Sequence, residues 1–447
     1  MPGANRKPQF DWVRVITLLV CVCFLAIFQP AQAARMPEYS DTLLAEWQQR
    51  YPRGILSNYT AVILPNLDAE DRRKLAGVRF EFPLRIKNRE PFAFATDVQG
   101  RTIYMSIQSL KFLDEATIAI AWLNRNGYTM ESVTNYFIML QHWKETAPPP
   151  SLFSSLCIPA NALDNKEVDG LAQKSFRTAI FYVMLHEIGH IIYRHEGAKG
   201  VDPAVSRARE EEADAYALKI MARVGEPPLG VVNLFLTMAY LNDGRTDFSS
   251  DTRNEKQLAA RTHPLSAERM RTFAKTLENT AANYAGEGLS RFTLVGIAVQ
   301  IRLVAQNFLE IQHLSAMIGR AITPIDLGPM RLGEKLGRLC TGPIASDQAF
   351  SGRFKGSVMI NNVEFDMGAE MTRTGNHMTG RSSAGIGFSK MEGIIEGDTL
   401  HYRWYLGQDA GKGVLRWNGQ TYAGSWGNGE SNRGGGKIKL QRHLQTQ

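Results

Sequence analysis

Residues 186–190 read His186-Glu187-Ile188-Gly189-His190. Two histidines four apart fall on one face of an α-helix, so both imidazoles can reach a single metal ion. The glutamate beside the first histidine can then reach a water on that ion. This spacing suits hydrolysis, in which one Zn2+ per chain polarises a carbonyl and activates water, with Glu187 as general base. Five residues alone are a weak signal, and the flanks strengthen it. From Ile180 to Tyr193 the chain is apolar apart from Tyr182, Tyr193 and the motif itself. Ionisable groups in so apolar a helix are costly unless paired, and a metal supplies the pairing. The competing reading is a pair of core histidines satisfied by hydrogen bonds.

The third ligand follows from helix geometry. Asp202-Pro203 is a helix start, because Asp caps and Pro suits the first helical position. Gly225 with Pro227-Pro228 is a stop, so a helix is predicted over Ala204–Val224. The preceding helix is predicted to end near His195, before Gly197 and Gly200. A loop this short makes the two helices antiparallel and sets position 210 opposite roughly position 188. Glu210 therefore completes a His186–His190–Glu210 site with a fourth position open to water. Asp214 lies one turn further on the same face, where it could accept the second ring N–H of His186. Glu211 and Glu212 diverge from that stripe and read as a solvated acidic face. His195 reads as an exposed helix end, not a ligand.

These residues bring a family into view. Glu210-Glu211-Glu212-Ala213-Asp214 resembles the glutamate-x-x-Ala-Asp signature of HtpX and CAAX-prenyl-protease type zinc endopeptidases. Thr262-His263-Pro264, followed by Glu268-Arg269, is similar to that family's Thr-His-Pro segment with its trailing arginine. Pro91–Ala95 with Gly100–Tyr104 resembles the strand pair before its catalytic helix. The resemblance spans about residues 80–275 and implies a zinc endopeptidase with Glu210 as third ligand. It departs from the family in lacking spanning helices, in a short gap between His190 and Glu210, and in an excursion from roughly 120 to 174. His263 is a candidate to steady a tetrahedral oxyanion, since it precedes a proline at the start of a predicted helix. A helix-capping surface role is the alternative.

The elements that must position these residues read as α+β. A mostly helical, zincin-like metallopeptidase domain with a small sheet is expected over residues 34–325. Strands are predicted at Val78–Ile86, Pro91–Thr96 and Arg101–Ile107, the last either an edge strand for extended substrate or part of a core hairpin. A helix is predicted over Ser109–Asn124, irregular chain over 151–173, and helices from Ser175 to about Arg320. Gly and Pro punctuate a linker near Ile322–Pro343. Residues 345–447 form seven short strand-like runs between turns: 352–360, 370–374, 385–392, 400–405, 414–417, 422–426 and 436–440. That spacing predicts an antiparallel barrel or sandwich of unknown role. Trp404, Trp417 and Trp426 there are either core or a binding surface.

Arg6, Lys7 and Arg14 precede an apolar run, Val15–Phe28, which is followed by Ala31-Gln32-Ala33. The pattern reads as a signal peptide over residues 1–33 and predicts export, to the periplasm or as a secreted protein. No later segment is apolar enough to span a membrane. Cys157 and Cys340 could form one disulfide in that compartment or remain two thiols. The net charge of +7 is mild, and no basic cluster with interleaved aromatics argues for nucleic acid. The expected partner is a protein or peptide substrate, and an envelope-associated partner is compatible with export. The oligomeric state is not legible. The alternative to an endopeptidase is a metal-bound but occluded chaperone or binding protein that acts through its β-domain.

Overall fold

The computed structural model describes residues 36–86, 92–126, 128, 131–142, 147–195, 201–241, 265–284, 293–306, 349–360, 363–384, 387–406, 409–418 and 421–443. The expected leader, the linker near 322–343 and His263 lie outside them. Among the described residues no helix is long and apolar enough to cross a membrane.

The α+β expectation holds. Helix α1 (Asp41–Asn58) starts where Ser40 accepts a hydrogen bond from the Leu43 N–H. It runs through a π-helical turn at Tyr59–Ile63, and α2 (Ala69–Lys74) follows with Asp68 as its cap. A small sheet then forms from β1 (Arg79–Glu81), β2 (Phe94–Asp97) and β3 (Thr102–Met105), in the order β1-β3-β2. Of the two readings of the third strand, substrate-pairing edge or core hairpin, the structure takes the second, since β3 is central. β3 pairs in parallel with β1 and antiparallel with β2, which leaves β2 at the edge.

Helix α3 (Ile107–Arg125) is buried along most of its length. The stretch expected to be irregular is instead ordered. After α4 (Glu131–His142) come α5 (Leu152–Leu156), a 3-10 turn at Ala162–Asp164, and the first turns of α6 (Lys166–Ile192). Asn165 caps α6 by accepting from the Glu167 and Val168 N–H groups. The turns up to Phe176 are largely polar, so no apolar stripe reveals them in the sequence. Cys157 is disulfide-bonded, with a partner outside the described residues.

Helix α7 spans Pro203–Val224, bounded by the Asp202 cap and by Gly225 at φ 78°. Helices α8 (Val231–Leu241), α9 (Ala267–Thr280) and α10 (residues 293–306) complete this half. One hydrophobic cluster joins α1, α3 through α10 and the small sheet. Ile180, Val183, Met184, Leu185 and Ile188 of α6 are nearly inaccessible. Each such side chain contributes about 1.5–3 kcal/mol, enough together to hold polar neighbours that would not bury themselves. At the closest approach of α6 and α7 a Cβ on Gly189 would lie 3.1 Å from the Ala213 Cα. The bare glycine lets the two helices meet there.

Residues 352–442 form a closed eight-stranded barrel, which decides between the two expected β architectures. Its strands are β4 (Gly352–Ile360), β5 (Val363–Thr374), β6 (His377–Ala384), β7 (Gly387–Glu396), β8 (Thr399–Leu406), β9 (Asp409–Trp417), β10 (Thr421–Asn428) and β11 (Gly436–Arg442). Each pairs antiparallel with the next, and β11 closes on β4 with Ile438 opposite Val358. Closure leaves no free edge. One end is packed with Phe354, Met371, Met378, Leu400, Leu415 and Tyr422. The barrel meets the helical half where the Arg353 guanidinium lies 4.3 Å over the Tyr128 ring and where Gln300 donates to the Ala384 carbonyl.

Tyr402 on β8 faces Gly413 on β9, and a Cβ at Gly413 would fall 2.1 Å from the tyrosine Cζ. Gly413→Ala is therefore expected to destabilise the barrel by about 1–3 kcal/mol. Denaturant unfolding followed by tryptophan emission measures it. An unchanged midpoint would show that the ring does not depend on that bare stretch of wall.

Candidate metal centre

Helix α6 carries His186, Glu187 and His190, and helix α7 carries Glu210 and Asp214. Three ligand atoms converge. The His186 and His190 Nε2 atoms lie 3.1 Å apart. His186 Nε2 is 3.4 Å from Glu210 Oε2, and His190 Nε2 is 3.4 Å from Glu210 Oε1. A tetrahedral ion with bonds of about 2.0–2.1 Å sets its ligands about 3.3 Å apart, a spacing close to each of these three separations, with the carboxylate turning one oxygen toward each imidazole. All three residues are buried, and together they could hold a metal ion.

The other ring nitrogens explain why both Nε2 atoms turn inward. His186 Nδ1 lies 2.8 Å from the Asp214 Oδ1. His190 Nδ1 lies 2.9 Å from His195 Nδ1, and His195 Nε2 lies 2.9 Å from a Glu212 oxygen. A carboxylate can only accept, so Glu212 takes the His195 Nε2–H. His195 Nδ1 then accepts from His190 Nδ1–H, and the His190 Nε2 lone pair faces the site. The same logic at Asp214 places the proton of a neutral His186 on Nδ1 and turns its Nε2 toward His190 and Glu210. Two lone pairs and a carboxylate pointing at one another repel unless a cation sits among them.

His195 and Glu212 correct the sequence reading. His195 is not an exposed helix end, because its side chain is 7% exposed. Arg194 adopts φ 56°, and the His195 N–H returns to the His190 carbonyl. This left-handed turn folds the ring back onto the helix it has just left. Glu212 is half-exposed but tied to His195. A glutamate two residues after Glu210, with a histidine five after His190, was the signal available.

Arg269, on α9, is the residue whose place sequence reasoning did not assign. Its Nε and Nη2 donate to the two Asp214 oxygens at 2.8 Å each, and its Nη1 lies 2.6 Å from Glu210. Tyr182 adds a fourth donor to Asp214 at 2.5 Å. Burial would raise the Asp214 carboxyl, but Arg269 and His186 hold it well below the usual carboxylate range. Burial works against the Arg269 charge, and Asp214 with Glu210 more than restores it. Burial and Asp214 push the Tyr182 phenol well up, so it stays a neutral donor. Burial tends to lower the His186 imidazole, yet Asp214 and Glu210 outweigh it and raise it. Burial dominates at His195 and lowers it, in keeping with a neutral relay.

Glu187 is 1% exposed and accepts a hydrogen bond of 2.5 Å from Thr96 on β2. The described buried charges here are thus Glu187, Glu210 and Asp214 against Arg269 alone. That excess of two negative charges is what a divalent cation neutralises, so the donor set and the charge both fit such an ion.

Residues 121–288 match the family described as Peptidase U49. The match indicates a peptidase family. It covers well under half of the chain, including every candidate ligand and Arg269 but neither Thr96 nor the barrel. No curated protein and no solved structure matches the chain.

The contacts separate two kinds of loss. His195→Ala is expected to weaken binding of Zn2+ or Co2+ about 10–100-fold with little change in unfolding free energy. Asp214→Ala should weaken it as much and also cost about 3–5 kcal/mol, because Arg269 is left buried against one carboxylate fewer. Metal titration and urea unfolding of both variants read the two effects. Equal stability losses would contradict the assignment.

Proposed function

We propose that the protein is a zinc-dependent endopeptidase in which His186, His190 and Glu210 hold the ion and Glu187 is the general base. The observation that carries this reading is the convergence of three buried potential ligand residues, His186, His190 and Glu210, in a segment similar to a peptidase family. Zinc is favoured because two imidazoles and one carboxylate with room for a fourth ligand suit it. Bound there, it would supply Lewis acidity, polarising a scissile carbonyl and easing the loss of a proton from water.

The chain's own residues do the rest. Thr96 donates to the Glu187 carboxylate and orients it, and that carboxylate takes a proton as the water oxygen bonds to the carbonyl carbon. Glu187 then gives that proton to the leaving nitrogen as the C–N bond breaks. Asp214 holds His186 in orientation, and Arg269 fixes the Glu210 carboxylate. β2 is the edge of its sheet among the described residues and carries Thr96, so an extended substrate would pair along it. His263 is the proposed oxyanion donor. The three motifs shared with HtpX-type enzymes support the same mechanism. The apolar run 15–28 with Ala31 and Ala33 supports export, most simply to the periplasm, with proteins of that compartment as substrates. We further assign residues 34–325 to the peptidase and 345–447 to a separate β-domain.

Burial of all three ligands favours one rival, a metal-bound protein whose site no substrate enters. Cleavage of unfolded casein by the purified chain, abolished by chelator, separates the two. Glu187→Gln should keep its zinc and lose cleavage by at least about 100-fold. His263→Ala should likewise keep its zinc and lower kcat about 100-fold. Undiminished turnover in Glu187→Gln would remove the base from its role.

A further inference from the structure

The outer wall of β4 carries positive charge where the barrel meets the helical half. Phe354 points into the packed end, so Arg353 and Lys355 on either side of it point out. They stand about 7 Å apart along one face of the strand. His443, just past β11, joins them, since its N–H donates to the Arg353 carbonyl at 2.9 Å. The end of α3 faces this wall. The Lys355 ammonium donates to the carbonyl of Arg125, the last residue of that helix, at 3.3 Å. Four basic side chains from three stretches of chain thus gather at one junction.

Acidic partners do not match them. Arg125 is ion-paired with Glu167. Among the described residues neither Arg353 nor Lys355 has an ion pair, although Glu370 stands opposite Arg353 on β5. Burial, Arg353, Lys355 and Arg125 each lower the His443 imidazole, as a locally positive field does. Arg353 is the sharpest case. It is 7% exposed, and its guanidinium lies 4.3 Å over the Tyr128 ring. The ring meets the charge but offers no oxygen to the five N–H groups. No protein oxygen takes them, and none of these nitrogens is sealed from solvent. An arginine nine-tenths buried with its donors idle, beside a lysine with two N–H groups unspent, lacks an acceptor.

We propose that the junction between β4 and α3 binds one phosphate-type dianion, held by the Arg353 guanidinium and the Lys355 ammonium. Two unpaired cations match two negative charges, whereas a carboxylate would leave one of them uncompensated. The planar fork of Arg353 suits two oxygens of a tetrahedral anion, and Lys355 meets a third as a point charge. Tyr128 holds the guanidinium in place before the anion arrives, so little side-chain freedom is lost on binding. The anion sits where barrel and helical half touch, apart from the metal ligands on α6 and α7.

The test titrates the full-length protein with inorganic phosphate by isothermal calorimetry, at constant ionic strength in a buffer free of other oxyanions. Phosphate should saturate at about one per chain. Arg353→Gln and Lys355→Met should each weaken it about tenfold or more. Lys437→Met, on the exposed outer face of β11, should leave it unchanged and so controls for diffuse attraction. Unchanged circular dichroism shows that each variant folds, and Lys355→Met tests the site should Arg353→Gln unfold. Glycerol 3-phosphate identifies the source. Displacement of phosphate by the ester points to a phosphate monoester as ligand, failure to displace points to the free ion, and both uphold the site. Non-saturable uptake, an affinity indifferent to Arg353→Gln and Lys355→Met, or an equal loss in Lys437→Met would each overturn the proposal.

Discussion

Two antiparallel helices that carry three carboxylates into an apolar interior will not pack unless something buried offsets the charge. In this protein the offset is organised by Asp214. Its two oxygens, on α7, collect polar partners from two other helices: Tyr182 and His186 on α6, and Arg269 on α9. Arg269 reaches on to Glu210, so one guanidinium ties the orienting carboxylate to the candidate ligand carboxylate. The arrangement still leaves a negative excess, and that excess is of the sign and size a divalent cation would neutralise. Gly189 against Ala213 sets how near the two helices come, and Asp214 sets where along their length they meet.

The part of the site that the sequence revealed is the part governed by local rules. The bounds of α7 were legible because Asp202, Pro203 and Gly225 are strong signals at a helix end, and reflection through a short loop then placed Glu210 against the histidines. What it hid depends on chain returning from far away. Thr96 comes from a strand 91 residues before Glu187, and Arg269 from a helix 55 residues after Asp214. No periodicity announces such partners. His195 was misread for a subtler reason. A single left-handed residue, Arg194, turns a helix end that should have faced solvent back onto His190. The central place of β3 was likewise invisible, because strand order is not written in hydropathy.

The barrel shows the same division. Seven of its strands stood out as alternating runs, and β6 did not. Its inward face, Met378, Gly380, Ser382 and Ala384, offers one large apolar side chain in four. Closure of the sheet, which decided barrel over sandwich, rests on pairing between β11 and β4, strands at opposite ends of the domain. The two halves are joined through α10, which shares the helical core and lies over the barrel mouth. Sequence placed the three tryptophans in the domain without saying how they sit. Trp404 and Trp426 line a cavity at the other end of the barrel, whereas Trp417 stacks on Tyr422 near the packed end.

The central claim is that the converging His186, His190 and Glu210 hold a catalytic metal. The most direct test is the metal content of purified protein never exposed to chelator, measured beside His190→Ala. The account predicts about one zinc per wild-type chain and loss of it in the variant. Protein that carries no zinc, and takes up none on addition, would contradict it and leave a buried cluster of charges without a cation to explain it.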